Sequence, residues 1–235
     1  MKAVIVAAGK GSRLWRQTYS IPKTLLPYGG GTILSTIMNS FNQVGINEFV
    51  VVVGYQSEFI TDYLNKNDNL GYDIKIVENS DWNLGNGISV LVAEQAVGDG
   101  DFILSMSDHI VTVSALERII NHPSDNNLLL VDKRVEDIFD IDDATKVALQ
   151  GRMITNIGKE ITGYDGADCG IFRLNGRYFR AMREALKVNQ DSISAAINKL
   201  IANNDMEAVF MNPSEKWIDI DTPSAYQHSL NNIEF

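Results

Sequence analysis

The chain has almost no cysteine: Cys169 is the only one in 235 residues. No internal disulfide can form, and a reducing, cytoplasmic setting is expected. No stretch approaches the roughly 18 to 20 apolar residues that a membrane-crossing helix needs, so nothing is expected to span a bilayer. The amino terminus offers one lysine and then a short apolar run that stops at Gly9, too brief for the core of a signal peptide. Internal repeats and low-complexity segments are absent. Acidic side chains are missing from residues 1–47, which carry Lys2, Lys10, Arg13, Arg16 and Lys23; the rest of the chain holds 15 basic and 30 acidic residues. A net charge of −10 argues against nucleic acid as a partner. A cationic segment on an acidic body points instead to a small polyanion bound locally, since a long one would meet repulsion elsewhere.

With 45% apolar and 21% charged residues, the composition is that of a globular protein, and one α/β domain over 1–235 is long enough to bury a single core. The stretch that organises it is Ala3-Val4-Ile5-Val6-Ala7-Ala8-Gly9-Lys10-Gly11-Ser12-Arg13-Leu14, answered by Pro22-Lys23-Thr24-Leu25-Leu26-Pro27. A buried strand ends in small residues and glycine, and the loop that follows has cations and no acid. Small residues let backbone N–H groups approach an anion, and the cations neutralise it. The alternative is a plain strand-to-helix turn with surface cations. Two familiar anion loops do not fit: the third glycine of a dinucleotide fingerprint and the Gly-Lys-Ser/Thr ending of a P-loop are both missing.

Further along, apolar periodicity predicts strands at 2–7, 49–53, 73–77, 102–104 and 128–131, alternating with helices that begin at Thr32, Ser57, Asn86 and Ser114. The helix from Asn86 is expected to run to Gly98. Strands alternating with helices predict an α/β fold, a three-layer, mainly parallel, doubly wound sheet of Rossmann-like type with ligands beyond the strand carboxyl ends. Residues 134–174 break into short alternating pieces and predict an antiparallel β-ribbon region inserted into or beside that sheet. Helices near 175–188 and 192–203, a strand near 208–211 and a last helix complete the chain.

Three acids are placed for chemistry. Asp108 is expected to end the fourth strand, and Asp219 and Asp221 alternate in an apolar segment, so they share a face. Carboxylates beside a phosphate loop suit a magnesium ion bridging them to phosphate oxygens. Each also has a structural reading: Asp108 as cap of the next helix, Asp221 as cap of the last, the favoured of its two roles. Asp219, flanked by Trp217, Ile218 and Ile220, needs a partner if buried, and a metal supplies one. Asn86-Gly87 offers an amide for a nucleobase edge and a glycine against which a base can lie flat, though Asn-Gly is also a common turn. His109 reads as structural and Cys169 as a core thiol. No Ser-His-Asp or Cys-His arrangement is apparent.

The glycine-rich opening paired with Pro22-Lys23-Thr24-Leu25-Leu26-Pro27 resembles the nucleotidyltransferases that make activated sugars and alcohols from a nucleoside triphosphate and a phosphate ester. Asn86-Gly87, Asp108-His109, Ala144-Thr145-Lys146-Val147, Ile157-Gly158-Lys159 and the segment from Trp217 to Thr222 look most like the cytidylyltransferases acting on inositol 1-phosphate, with bacterial phosphocholine cytidylyltransferases next. The resemblance implies that Ala7, Ala8 and Gly9 lie near base and ribose, and that Gly11, Ser12 and Arg13 hold the β and γ phosphates. Lys23 would reach the α-phosphate, with Arg13 and Lys23 the catalytic cations, while Asn86 and Gly87 border the cytosine. It further implies that Asp108 and Asp219 hold Mg2+ with Asp221 nearby, and that Lys159 and Lys146 face the acceptor phosphate. The expected reaction is Mg-assisted in-line transfer of CMP from CTP to a small phosphorylated acceptor, inositol 1-phosphate first, with pyrophosphate released. Phosphocholine, a phosphonate or a sugar 1-phosphate are alternative acceptors. A nucleotide-sugar-dependent glycosyltransferase and a non-catalytic nucleotide-sensing subunit are the readings of another class. Departures from the family are Trp15-Arg16-Gln17 after the loop and Cys169 where threonine is common. Inositol enzymes are often fused to a membrane-embedded transferase, so a separate downstream transferase is the expected user of the product. Oligomeric state, a homodimer included, is left open.

Overall fold

The structure, a computed structural model, describes residues 1–14 and 21–232, the side chains of Ser12 and Asn232 excepted. Arg16 and the Trp15-Arg16-Gln17 departure lie outside the described residues.

Four parallel strands form one half of the main sheet: β1 (Lys2–Ala7), β4 (Glu48–Val53), β5 (Asp73–Glu78) and β6 (Phe102–Met106). Between β1 and β4 a small hairpin, β2 (Pro27–Tyr28) with β3 (Gly31–Thr32), leads into α1 (Ile33–Gln43). Thr32 caps α1 as expected, its hydroxyl accepting the Ser35 amide while the Ser35 side chain reciprocates, a capping box that satisfies two amides the first turn cannot. The helix from Ser57 is α2 (Ser57–Lys66). The single helix expected to run from Asn86 to Gly98 is two short ones, α3 (Asn86–Leu91) and α4 (Glu94–Val97).

After β6 come the short β7 (His109–Val111), α5 (Val113–Ile120) and β8 (Asn127–Asp132). The irregular middle supplies β9 (Lys146–Gln150), β10 (Met153–Gly158) and β11 (Gly166–Leu174), followed by α6 (Gly176–Leu186), α7 (Ile193–Ala202), β12 (Met206–Phe210), β13 (Trp217–Asp219) and α8 (Pro223–Asn232). The expected ribbon is continuous with the main sheet, whose strand order is β5-β4-β1-β6-β11-β8-β12-β10-β9. The reversed strand β11 runs antiparallel to β6 and β8 and joins the two halves.

Residues of β1 alternate between two cores: Ala3, Ile5 and Ala7 pack with α1, α2, α5 and α8, and Val4 and Val6 with α3, α4, α6 and α7. That is why the strand reads as an unbroken apolar run: both its faces are covered by helices. The result is a three-layer α/β/α architecture with helices on both faces of the sheet. Among the described residues no helix is long and apolar enough to cross a membrane.

Candidate active site

The carboxyl ends of β1, β4 and β6 meet at one edge, where Ala7 lies beside Val53 and Val6 beside Met106. Two clefts open there. One, of about 270 Å3, is lined by Ala7, Gly9, Gly11, Lys23, Trp82, Leu84 and Ser107 among others; the second, of about 230 Å3, by His109, Asp143, Lys159, Asp168, Ser194, Trp217 and Asp219 among others. Arg13, Asn86, Met106, Asp108 and Asp221 line both. The charged seam between two small cavities is the geometry a two-substrate transfer requires.

The opening loop is shaped for this seam. Gly11 sits at φ +59°, and a Cβ there would press on the Lys23 side chain at 3.2 Å, so the glycine supplies both the left-handed turn and room for the lysine stem. Lys23 leaves a single 3-10 turn, Lys23–Leu25, entered through Pro22. Thr24 pins that turn by donating its hydroxyl to the Ser107 carbonyl at 3.2 Å, and Leu26 is buried. Ala7 and Gly9 line the first cleft. Ala8 does not: it is 1% exposed, and its carbonyl accepts the Tyr55 amide at 2.9 Å. Its side chain belongs to the core beside Gly54 and Trp82, so Ala8 adds no side chain to the cleft expected to take base and ribose.

Asn86 lies where the clefts join, its Oδ1 accepting the Ile193 amide at 2.8 Å. Gly87 is buried. A Cβ there would meet Met182 Sδ at 2.5 Å and the Asp191 carbonyl at 2.6 Å, and its amide donates to that carbonyl at 2.9 Å. Glycine is required at 87 by the close approach of the loop before α7, a packing reason the sequence did not show.

Ion pairs knit the seam together. Arg13 pairs with Asp143 and Asp221, and Lys23 with Asp108 and, at 2.7 Å, with Asp221. Lys159 Nζ is 3.0 Å from Asp143. The side chain of Asp221 is thus turned into the seam and does not cap α8; Thr222 does, its hydroxyl accepting the Ala225 amide at 3.1 Å. Asp108 lies in the turn after β6, not at its end, and does not cap α5, which Thr112 precedes. Burial alone would raise the Asp108 pKa, but Lys23 and His109 outweigh it and hold the carboxyl well below the usual range. His109 Nδ1 donates to Asp108 Oδ1 at 2.8 Å. Burial opposes its charge, yet Asp219 and Asp108 push its pKa up to about 9.

Strand β13 pairs with β7 so that Asp219 faces His109 across the ladder. Burial raises the Asp219 pKa against the pull of His109, and its Oδ1 is buried with no hydrogen-bond partner among the described residues. An orphaned carboxylate oxygen of this kind is costly unless a cation satisfies it. Two donor groups lie close enough to hold one, Asp108 with His109 and Asp219, and Asp143 with Asp219 and Asp221. Both contain Asp219, so the acids fit a divalent metal, and their oxygens suit a hard one.

In the second cleft the two expected acceptor lysines separate. Lys159 lines it. Lys146 does not: it is 8% exposed, and its ammonium donates to the carbonyls of Asp142, Ala144 and Lys159 at 3.1 to 3.3 Å. That arrangement makes Lys146 the clasp of the 142–146 loop and corrects the expectation that it faces acceptor. Cys169 is fully buried, and burial pushes its pKa up. Reasoning from sequence missed Asp143 and Asp168 and undervalued His109. Asp143 had a signal, an acidic run just before the Ala144-Thr145-Lys146 motif; Asp168 had none.

The family described as MobA-like NTP transferase domain matches residues 3–139. A protein named bifunctional IPC transferase and DIPP synthase from Aquifex aeolicus is 31% identical over 94% of this chain and 49% of its own length. One of the same name from Rubrobacter xylanophilus is 31% identical with the same coverage. The chain therefore spans about half the length of the curated relatives it matches. Among solved structures, the inositol-1-phosphate CTP transferase of T. maritima superposes with a TM-score of 0.85 at 28% identity, covering 95% of this chain and 90% of that one.

Proposed function

The chain belongs to the MobA-like NTP transferase family and is a nucleotidyltransferase, and from that premise we propose that it transfers CMP from CTP to inositol 1-phosphate and releases pyrophosphate. The observation that carries the proposal is the pair of clefts joined by Arg13, Asp108 and Asp221. The cleft under Gly9 and Gly11 takes the nucleoside triphosphate, and the cleft holding Lys159 takes the acceptor phosphate. The names of the relatives support CTP and inositol 1-phosphate as the pair.

An oxygen of the acceptor phosphate attacks the α-phosphorus of CTP, the bond to the β-phosphate oxygen breaks, and pyrophosphate leaves with that electron pair. A phosphate monoester is largely dianionic at neutral pH, its second pKa being about 6, so the attacking oxygen needs no protein base. The work left to the chain is positioning and charge neutralisation. Asp221 and Asp108 aim Lys23 at the seam, and Asp143 and Asp221 aim Arg13. Donors fixed before the reaction cost no reorganisation as charge moves toward the leaving group. Asp108 and Asp219, with Asp221 alongside, would hold Mg2+, which supplies neutralisation of the triphosphate oxygens when bound.

The test is pyrophosphate release from each nucleoside triphosphate with magnesium against inositol 1-phosphate, phosphocholine, sugar 1-phosphates and aminoethylphosphonate. Release is expected with CTP and inositol 1-phosphate; release only with another pair reassigns the substrates, and none at all removes the transfer as stated.

A further inference from the structure

The segment joining β8 to β9 runs along the second cleft, where Phe139, Asp140, Asp143, Ala144 and Thr145 all line it. Two anchors hold it. The Phe139 ring stacks on His228 of α8 with centroids 4.6 Å apart, and Lys146 donates to the carbonyls of Asp142 and Ala144. Between these anchors Asp143 divides its two oxygens between different cations: Oδ2 pairs with Arg13 Nη1, and Oδ1 accepts a hydrogen bond from Lys159 Nζ at 3.0 Å. Arg13 lies 130 positions away in the chain and lines both clefts, whereas Lys159 lines the second alone. Burial raises the Asp143 pKa, but Arg13 and Lys159 outweigh it and hold the carboxyl below the usual carboxylate range. Arg13 has a second partner in Asp221, while Lys159 has no other side-chain partner among the described residues.

Resting on the transfer reading above, we propose that Asp143 is a positioning residue that couples the two substrates. Its carboxylate ties the cation of the triphosphate cleft to the cation of the acceptor cleft, so that occupancy of either tightens binding at the other. Both cations have donors to spare, since a guanidinium carries five N–H groups and an ammonium three, and a phosphate can bind each without displacing Asp143. The three side chains are 35% to 49% exposed, and exposed side chains of this length have rotamer freedom to lose when a ligand fixes them. A phosphate that immobilises Arg13 immobilises the carboxylate bonded to it and, through the other oxygen, Lys159. The second substrate then meets a cation already ordered and spends less entropy in binding. Exposed ion pairs are individually weak, so the expected coupling is about fivefold, the low end of the usual range between linked sites. Asp143 also belongs to one of the two acid groups that could hold a cation, with Asp219 and Asp221. Loss of a metal ligand would raise the magnesium requirement, which loss of the bridge leaves alone.

The test is calorimetric binding of inositol 1-phosphate, with magnesium, in the presence and absence of a saturating CTP analogue that cannot react because a methylene joins its α and β phosphorus atoms. Wild type is expected to bind the acceptor about fivefold more tightly with the analogue present, and by linkage to bind the analogue more tightly by the same factor with the acceptor present. In Asp143→Asn, which keeps the size and loses the charge, that factor should fall to one whatever happens to the affinity for either ligand alone, and Asp143→Glu should regain part of it. A purely structural role would lower Tm or the separate affinities and leave the factor standing. Asp143→Ser serves the comparison if Asp143→Asn fails to fold. The magnesium concentration giving half-maximal pyrophosphate release should be the same in wild type and variant. Full coupling in a folded Asp143→Asn protein, or a raised magnesium requirement in it, overturns the proposal. Binding of both ligands to wild type without coupling refutes the bridge and leaves the transfer intact. Binding of neither, with no pyrophosphate released from any pair, refutes the transfer and the bridge with it. If the release assay reassigns the substrates, the active pair takes the place of these two.

Discussion

Replacing Lys23 with alanine perturbs the seam in two separable ways. Its side chain is 14% exposed and its ammonium bonds both Asp108 and Asp221, so its loss removes a positioned cation from the proposed site of the reacting phosphates and leaves a buried carboxylate short of a partner. The first effect should lower turnover at least about a hundredfold, the scale for one preorganised electrostatic donor. The second should destabilise the fold by about 3 kcal/mol, the lower end of the cost of stripping one member from a buried pair, because His109 still serves Asp108. For a chain of this size that corresponds to a fall in Tm of roughly 6 to 12 °C. Its pH dependence has a definite sign. The Asp108 pKa is depressed in the folded protein, so the stability it contributes is present above the ordinary carboxyl range of about 3.9 and is lost as pH falls through the lower folded value. The gap in stability between wild type and variant should therefore be full at pH 7 and narrow as pH falls below about 4, where Asp108, no longer held ionised by Lys23, takes up a proton in the variant and stops being a buried charge short of a partner. Adding Asp108→Asn to Lys23→Ala should recover stability but no activity. Calorimetric melting between pH 3 and 7 and pyrophosphate release at pH 7 give both readings. Near-normal turnover in a folded Lys23→Ala variant, or a stability gap that does not change with pH, refutes this account.

Asp108→Ala is expected to lose most activity together with its magnesium dependence, read by titrating the metal in the pyrophosphate assay; normal activation by magnesium would remove Asp108 from the metal site. Gly87→Ala forces a methyl against Met182 and the Asp191 carbonyl and should cost about 2 kcal/mol, an overpacking penalty, measured by urea denaturation. The two lysines expected to face the acceptor should part company. Lys159→Met is expected to raise acceptor KM with little change in Tm, and Lys146→Met to lower Tm by leaving the carbonyls of Asp142, Ala144 and Lys159 without their donor.

Much of the scaffold is written locally. The valine run of β4 and the alternating cores on β1 are visible because a strand covered on both faces must be apolar throughout, and the Thr32 cap is visible because capping is decided within four residues. The contact of Gly11 with Lys23 was legible for the same reason: they lie only twelve positions apart, and the small residues and lone sign of charge lie within one segment. Asp221 was misread because its sequence neighbours, Thr222 and Pro223, form a helix start whatever the Asp221 side chain does. Lys146 was misread because a lysine beside a motif looks exposed until three carbonyls are seen to enclose it.

The residues by themselves thus determined the alternation of strands and helices, the glycine-rich cationic loop and the presence of acids later in the chain, since each depends on spacing along the chain. Only the tertiary structure decided which acids lie close enough to share an ion, which lysine lines the second cleft and which residues of β11 face it. Those follow from the β7–β13 pairing, the loop clasped by Lys146 and the register shift of β11 against β8, contacts between segments that one-dimensional spacing does not encode.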